Sequence, residues 1–261
     1  MKSLLEKTRD INKLIQRSAG NPLSFDDMSK VLAENIVANI YIVGRKGKIL
    51  GYAFMKNYNC PTMSEIVHYA TQFPSTYNDD LLRQQETRAN IHRNKKCVFK
   101  EDHECYLPNK NTTIVPIKGG GERLATLMLT KMTDFDDGDL ILAEYGATLV
   151  GMEILRSKTD RIEEIARQKA SVSIAFSTLS YSELEAVEHI FKELHETQGL
   201  LVASKIADKV GITRSVIVNA LRKLESAGVV EVRSLGMKGT FIKILNDYLI
   251  DELEKIKKHN S

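Results

Sequence analysis

The sequence predicts an α+β protein of two domains joined by a long helix, and three observations predict it. In the first half, two pairs of strand-like segments bracket a helical insertion and lead into a long helical pattern. From about Gly151 that pattern turns strongly charged, which suits an exposed helix between domains. The last third then runs helix, tight turn, second helix and basic hairpin. The expected limits are 1–155 for the first domain, 156–179 for the linking helix and 180–261 for the second.

A chain of 261 residues has room for two ordinary domains with substantial cores. Its net charge of +3 is mild, so a basic surface must be local and a histone-like binder is excluded. MKSLLEKTRDINKLIQRS alternates charge with apolar residues and is no signal peptide, and no run approaches a membrane span. Cys60, Cys97 and Cys105 are an odd set without C-x-x-C spacing, which suggests neither a disulfide framework nor a zinc site. A cytoplasmic protein is expected.

Residues 2–18 read as an amphipathic helix carrying Leu4, Leu5, Ile11, Leu14 and Ile15, and Gly20-Asn21-Pro22 breaks the chain. Ser24 and Asp27 resemble a capping box opening a helix to about Val37. Asn39–Val43 and Lys48–Phe54 are strands joined by the turn Gly44-Arg45-Lys46-Gly47. Met63–Tyr69 and Tyr77–Gln84 look helical, and Cys97–Phe99 a brief strand. Asn111–Lys118 and Leu124–Met132 are strands around a glycine turn, followed from Leu140 by the long helix. This ordering is that of a GAF sensor domain, which holds a small ligand between an antiparallel sheet and the loops over it.

In the last third, Ser204 is placed to cap Lys205–Val210, Gly211 to end that helix, and Thr213 to cap Arg214–Ala227. Val216, Ala220, Leu221, Leu224 and Ala227 fall at helical spacing. Val229–Arg233 and Thr240–Ile244 alternate around a loop, completing a winged helix-turn-helix. Lys205, Lys209, Arg214, Arg222, Lys223, Arg233, Lys238 and Lys243 outnumber Asp208, Glu225 and Glu231, an excess suited to DNA phosphates. Arg214, Ser215 and Asn219 are placed to reach base edges, with Arg favouring guanine and Asn adenine. Arg222, Lys223, Lys238 and Lys205 are the expected phosphate contacts. A winged helix between proteins would share the pattern, but turn, caps, charge and wing coincide here.

GITRSVIVNALRKLESAGVVEVRSLGMKGTFIK, with LSYSELEAVEHIFKEL and LLVASKIADKV before it, closely resembles the C-terminal domain of the CodY family. TTIVPIKGGGERLATLML and DLILAEYGATLVGMEILR extend the resemblance into the first domain. It implies a global transcriptional regulator of low-GC Gram-positive bacteria, mainly a repressor of genes used under nutrient limitation, responsive to GTP and branched-chain amino acids. In that family the residues matching Arg214 and Ser215 lie in the DNA-contacting helix, and a dimer reads an A/T-rich palindrome. The basic turn contributes to GTP binding, which carries over to Gly44, Arg45, Lys46 and Lys48, with Glu153 for the guanine base; many relatives have Ser at Gly44.

The resemblance is loose between Tyr58 and Pro108, where the family builds its amino-acid pocket. The residues carried over are Thr62, Met63, Ile66, Phe73, Tyr77, Cys97 and Phe99. Relatives show an Arg that clamps the ligand carboxylate where this chain has Thr62, and Thr cannot form a bidentate, charge-assisted clamp. Losing it accounts for about 1.5–3 kcal/mol. A T-x-F-P-V run reads Cys97-Val98-Phe99-Lys100-Glu101 here. Isoleucine, leucine or valine sensing is therefore expected to be weakened, altered or absent, leaving a regulator with another effector as the alternative.

Other signals resolve plainly. Gly119-Gly120-Gly121 joins two strands and is not G-x-x-x-x-G-K-[ST]. Asp134, Asp136 and Asp137 lack calcium-loop spacing and suit a helix N-terminus. His68, His92, His103, His189, His195 and His259 form no H-x-x-x-H and stand beside no nucleophile. No metal, cofactor or catalytic constellation is expected, so a nucleotide-hydrolysing enzyme is the weaker reading and GTP an effector.

Overall fold

In the computed structural model the chain divides into two compact units, Met1–Thr159 and Asp160–Ser261. The structure describes residues 2–17, 22–56, 58, 60–92, 96–100, 103–194 and 196–260. The break at Gly20-Asn21, the side chain of Ile15, Glu101 and His195 lie outside the described residues.

The first unit opens with α1 (Leu4–Arg17) and α2 (Phe25–Ile36). Ser24 caps α2, its hydroxyl accepting the Asp27 amide at 3.4 Å. Asp27 is a methylene shorter than the usual Glu of a capping box, and its carboxylate bonds Lys30 at 3.2 Å. Strands β1 (Asn39–Gly44), β2 (Ile49–Ala53), β3 (Arg88–His92), β4 (Asn111–Gly119) and β5 (Glu122–Lys131) form an antiparallel sheet in the order β2-β1-β5-β4-β3. Alternation along β1 splits its side chains between two layers. Ile40 and Ile42 pack with Leu32 and Ile36 of α2, and with Leu142, Ala143, Ala147 and Val150 of α5 (Asp137–Ser177). Tyr41 and Val43 point the other way, onto α3 (Pro61–Glu65), the π-helical turn Ile66–Ala70 and α4 (Ser75–Arg83). Gly146 permits the helical layer to close, because a Cβ there would stand 2.6 Å from Leu32 Cδ2.

The brief strand expected at Cys97–Phe99 does not form. A single bridge, Lys96 to Glu104, marks the place, and Val98 and Phe99 pack inward on the Tyr41 layer. The sheet edge is taken by β3, whose sequence RANIH offers only Ala89 and Ile91 as apolar residues and whose register shifts between Arg88 and Ile91, around the left-handed Asn90 (φ +53°).

Helix α5 has 41 residues, and the expected linker is its C-terminal half. Val172, Ala175 and Phe176 of that half belong to the core of the second unit. That core is completed by α6 (Tyr181–Glu193), α7 (Ala203–Val210), α8 (Arg214–Ser226), α9 (Leu249–Asn260) and a sheet of β6 (Gln198–Leu201), β8 (Thr240–Ile244) and β7 (Val230–Ser234), with β8 in the middle. Strand β6 and helix α9 are additions to the winged motif read from the sequence.

Candidate DNA interface and effector sites

The turn between α7 and α8 forms where the sequence placed it. Gly211 ends α7 in the left-handed region at φ 75°, a conformation that costs glycine little. The caps differ from expectation. Val202 takes the N-cap of α7 and Ser204 lies inside its first turn. Thr213 takes the N-cap of α8, but its hydroxyl bonds Ser215 Oγ at 2.7 Å and caps no amide. Helix α8 buries Ile217, Ala220, Leu221 and Leu224, while Val216 and Ala227 are only partly buried.

The opposite face of α8 presents Arg214, Ser215, Val218, Asn219 and Arg222, all exposed. Arg214 and Arg222, with Val218, line a hollow of about 250 Å³ whose far wall is Val232 and Ser234 of β7 and Thr240 of β8. Recognition helix and wing thus offer one concave, cationic surface. Lys205 and Lys238 are also exposed. Among the described residues, no ion pair engages Arg214, Arg222, Lys205 or Lys238, so their charges remain available.

Lys223, an expected phosphate contact, is engaged within its own unit. Its ammonium donates to Glu183 Oε2 at 2.7 Å and to the Thr178 carbonyl at 2.8 Å, inside the second unit. Glu183 is the N3 residue of a complete capping box with Ser180 at the start of α6. Burial pushes the Glu183 carboxyl up, but bonds from Lys223 and Ser180 outweigh it and hold the group below its ordinary value. Two residues further along the chain, Glu225 is likewise engaged, accepting the Val232 amide at 3.2 Å.

In the sensor unit, Met63, Ile66, Phe73 and Tyr77 meet in the Tyr41 layer, and Thr62 is buried beside Met63 on α3. Phe99 closes on them, its ring 5.4 Å from Phe73 and 4.8 Å from Tyr77. Cys97 is not brought into this cluster; its amide bonds the His103 carbonyl and it stays half-buried. Residues of this cluster missed from sequence include Cys60 beside α3, and Tyr41, Ile114 and Met128 from the sheet, with Tyr58 packed against them. Tyr41 and Tyr58 share a hydroxyl bond of 3.0 Å, and burial pushes both phenols up.

Arg45, Lys46 and Lys48 are exposed on the β1–β2 turn, while Gly44 is buried and bonded across the turn to Lys48 and Gly47. The turn is held from beneath by the same segment that supplies Phe73 and Tyr77. Phe73 donates its amide to the Gly47 carbonyl, Gln72 its side chain to Lys46, and Asn78 to Arg45. Glu153, expected to meet the guanine base, is already engaged. It is buried on α5, and its Oε1 accepts the Leu23 amide at 3.1 Å, which pins the entry to α2. No cluster of three or more metal-ligating side chains occurs among the described residues.

Residues 3–178 match the model of the CodY GAF-like domain, and residues 197–257 match that of the CodY helix-turn-helix domain. The chain belongs to the CodY family. It is 58% identical to the global transcriptional regulator CodY of Clostridium tetani over 258 residues, 98% of this chain and 100% of the relative. The same figures hold for CodY of Clostridium kluyveri. Among solved structures, the cofactor-binding GAF domain of the nutrient sensor CodY from Clostridium difficile is 36% identical, covering 59% of this chain and 99% of its own, with a TM-score of 0.39. As a CodY family member the protein is a DNA-binding transcriptional regulator with a GAF-type sensor domain, and not an enzyme. No described helix is long and apolar enough to cross a membrane.

Proposed function

We propose that this CodY family member binds an A/T-rich palindromic operator as a homodimer in the cytoplasm and acts mainly as a repressor. Arg214, Ser215 and Asn219 read bases, and Arg222, Lys238 and Lys205 hold phosphates. The observation that carries this reading is the exposed, unpaired cationic face of α8 opposite the wing strands. One recognition helix covers a half-site, so two copies are needed for a palindrome.

GTP is the proposed effector at the Arg45, Lys46 and Lys48 turn, whose charges are exposed. Glu153 serves that site only by giving up the Leu23 amide. Branched-chain amino-acid sensing is weakened, because Thr62 supplies no guanidinium and Phe99 packs on Phe73 and Tyr77. An effector alters DNA affinity only as far as it binds one state better than another.

The test is titration calorimetry of the full chain with isoleucine, valine, leucine and GTP, paired with fluorescence anisotropy on a labelled palindrome. Saturable GTP binding with little isoleucine binding is expected. Tight isoleucine binding would show that other residues have replaced the missing clamp.

A further inference from the structure

One open space on the sensor sheet borders the aromatic cluster only at Tyr58 and Leu107. A cavity of about 280 Å³ sits where β1 begins and β5 ends, and none of Phe73, Tyr77 and Phe99 lines it. Its apolar wall is Val37, Met55, Leu107 and Met132. Val37 and Met132 are each 57% exposed, an unusual outlay of large apolar surface at one mouth. Val37 is moreover a β-branched residue in the left-handed region, at φ 59° and ψ 52°. That conformation disfavours valine, and strain of this kind concentrates at ligand sites.

The polar atoms of the cavity narrow the ligand class. Lys56, Lys110 and Lys131 line it, and no carboxylate does so among the described residues. Lys131 is neutralised by Asp139 and lies over the Phe135 ring, while Lys56 is exposed and Lys110 rests on Cys105 Sγ at 2.9 Å. The local balance is therefore positive. The neutral groups are already engaged: Asn39 donates to the Thr130 carbonyl and accepts the Met55 amide, and the Tyr58 hydroxyl meets that of Tyr41. A ligand carboxylate would find Lys56 and Lys110. An α-ammonium would find no carboxylate among the described lining residues and would face cations, at an unfavourable desolvation cost.

We propose that this cavity is a second ligand site of the sensor domain, taking a short aliphatic carboxylate that lacks an amino group. The volume lies at the lower edge of small-molecule sites, about 300–1,000 Å³, which limits the tail to a few carbons. The tail lies along Val37, Leu107 and Met132, and the carboxylate reaches the two lysines. The site shares none of the residues assigned to GTP or the amino acid from the sequence, and meets the Tyr41 layer only through Tyr58 and Leu107.

Calorimetric titration of the full chain with hexanoate, hexanamide and 2-aminohexanoate tests the assignment. Saturable hexanoate binding is expected, at least tenfold tighter than either of the other two, and weakened tenfold or more in Lys56→Gln/Lys110→Gln. Hexanamide binding as tightly as hexanoate, or wild-type protein showing no saturable hexanoate binding, overturns the proposal. If the double variant does not fold, the three-ligand comparison on the wild-type chain decides alone. Loss of DNA or GTP binding in the same preparation would count against the regulator reading and not against this site.

Discussion

Arg222 and Lys223 are neighbours in sequence and serve different ends. Arg222 is exposed beside the wing, whereas Lys223 is spent on Glu183 and Thr178. Arg222→Ala should weaken operator binding and lower the salt dependence by about one counterion, read from anisotropy across a salt series. Lys223→Met should leave that slope unchanged and cost about 1–2 kcal/mol of stability, read by denaturant unfolding. Glu183 adds a pH signature. Its carboxyl is held below the ordinary 4.5, so its contribution is complete above that value and is lost as pH falls through the lowered folded-state value. The stability gap between wild type and Glu183→Gln should therefore be full at neutral pH and close in acid. A gap independent of pH would mean the pair contributes through shape alone.

At the scale of elements, the wing depends on one backbone position. Gly239 sits at φ +112°, and a Cβ there would stand 2.5 Å from the Leu201 carbonyl oxygen of β6. Gly239→Ala should cost about 1–3 kcal/mol and loosen the β6–β8 pairing, visible as a lowered melting temperature and faster amide exchange at Leu201. Elements whose signals are local were legible in the sequence. Gly211 ends α7, Ser24 caps α2, and the strands on either side of the glycine turn have strong apolar patterns. Cys97–Phe99 misled because its apolar residues serve a cluster and not a sheet edge, and β3 was hidden by a polar sequence with a register shift. The candidate sites were legible in the same measure. Arg214 and Asn219 could be placed by helical spacing alone. Lys223 could not, because its partner lies forty positions earlier, and Glu153 could not, because the amide it accepts is on the far side of the domain sequence.

At the scale of the molecule, α5 is common property of both units, contributing Val150 to one core and Val172 to the other. Between them it carries exposed residues such as Glu163. Proline there removes a helical hydrogen bond and clashes with the preceding turn, at about 3 kcal/mol. Glu163→Pro should leave both cores folded and the operator affinity near that of the effector-free wild type, while abolishing any response to GTP. A response that survives the break would exclude helix continuity as its route. The hydroxyl of Thr213 has a consequence of another kind. Because it is turned to Ser215, the recognition helix begins without a side-chain cap from Thr213. A helix start of this kind welcomes an anion, and a DNA phosphate is one. On the reading proposed above, a phosphate of the bound operator would supply the cap that Thr213 withholds.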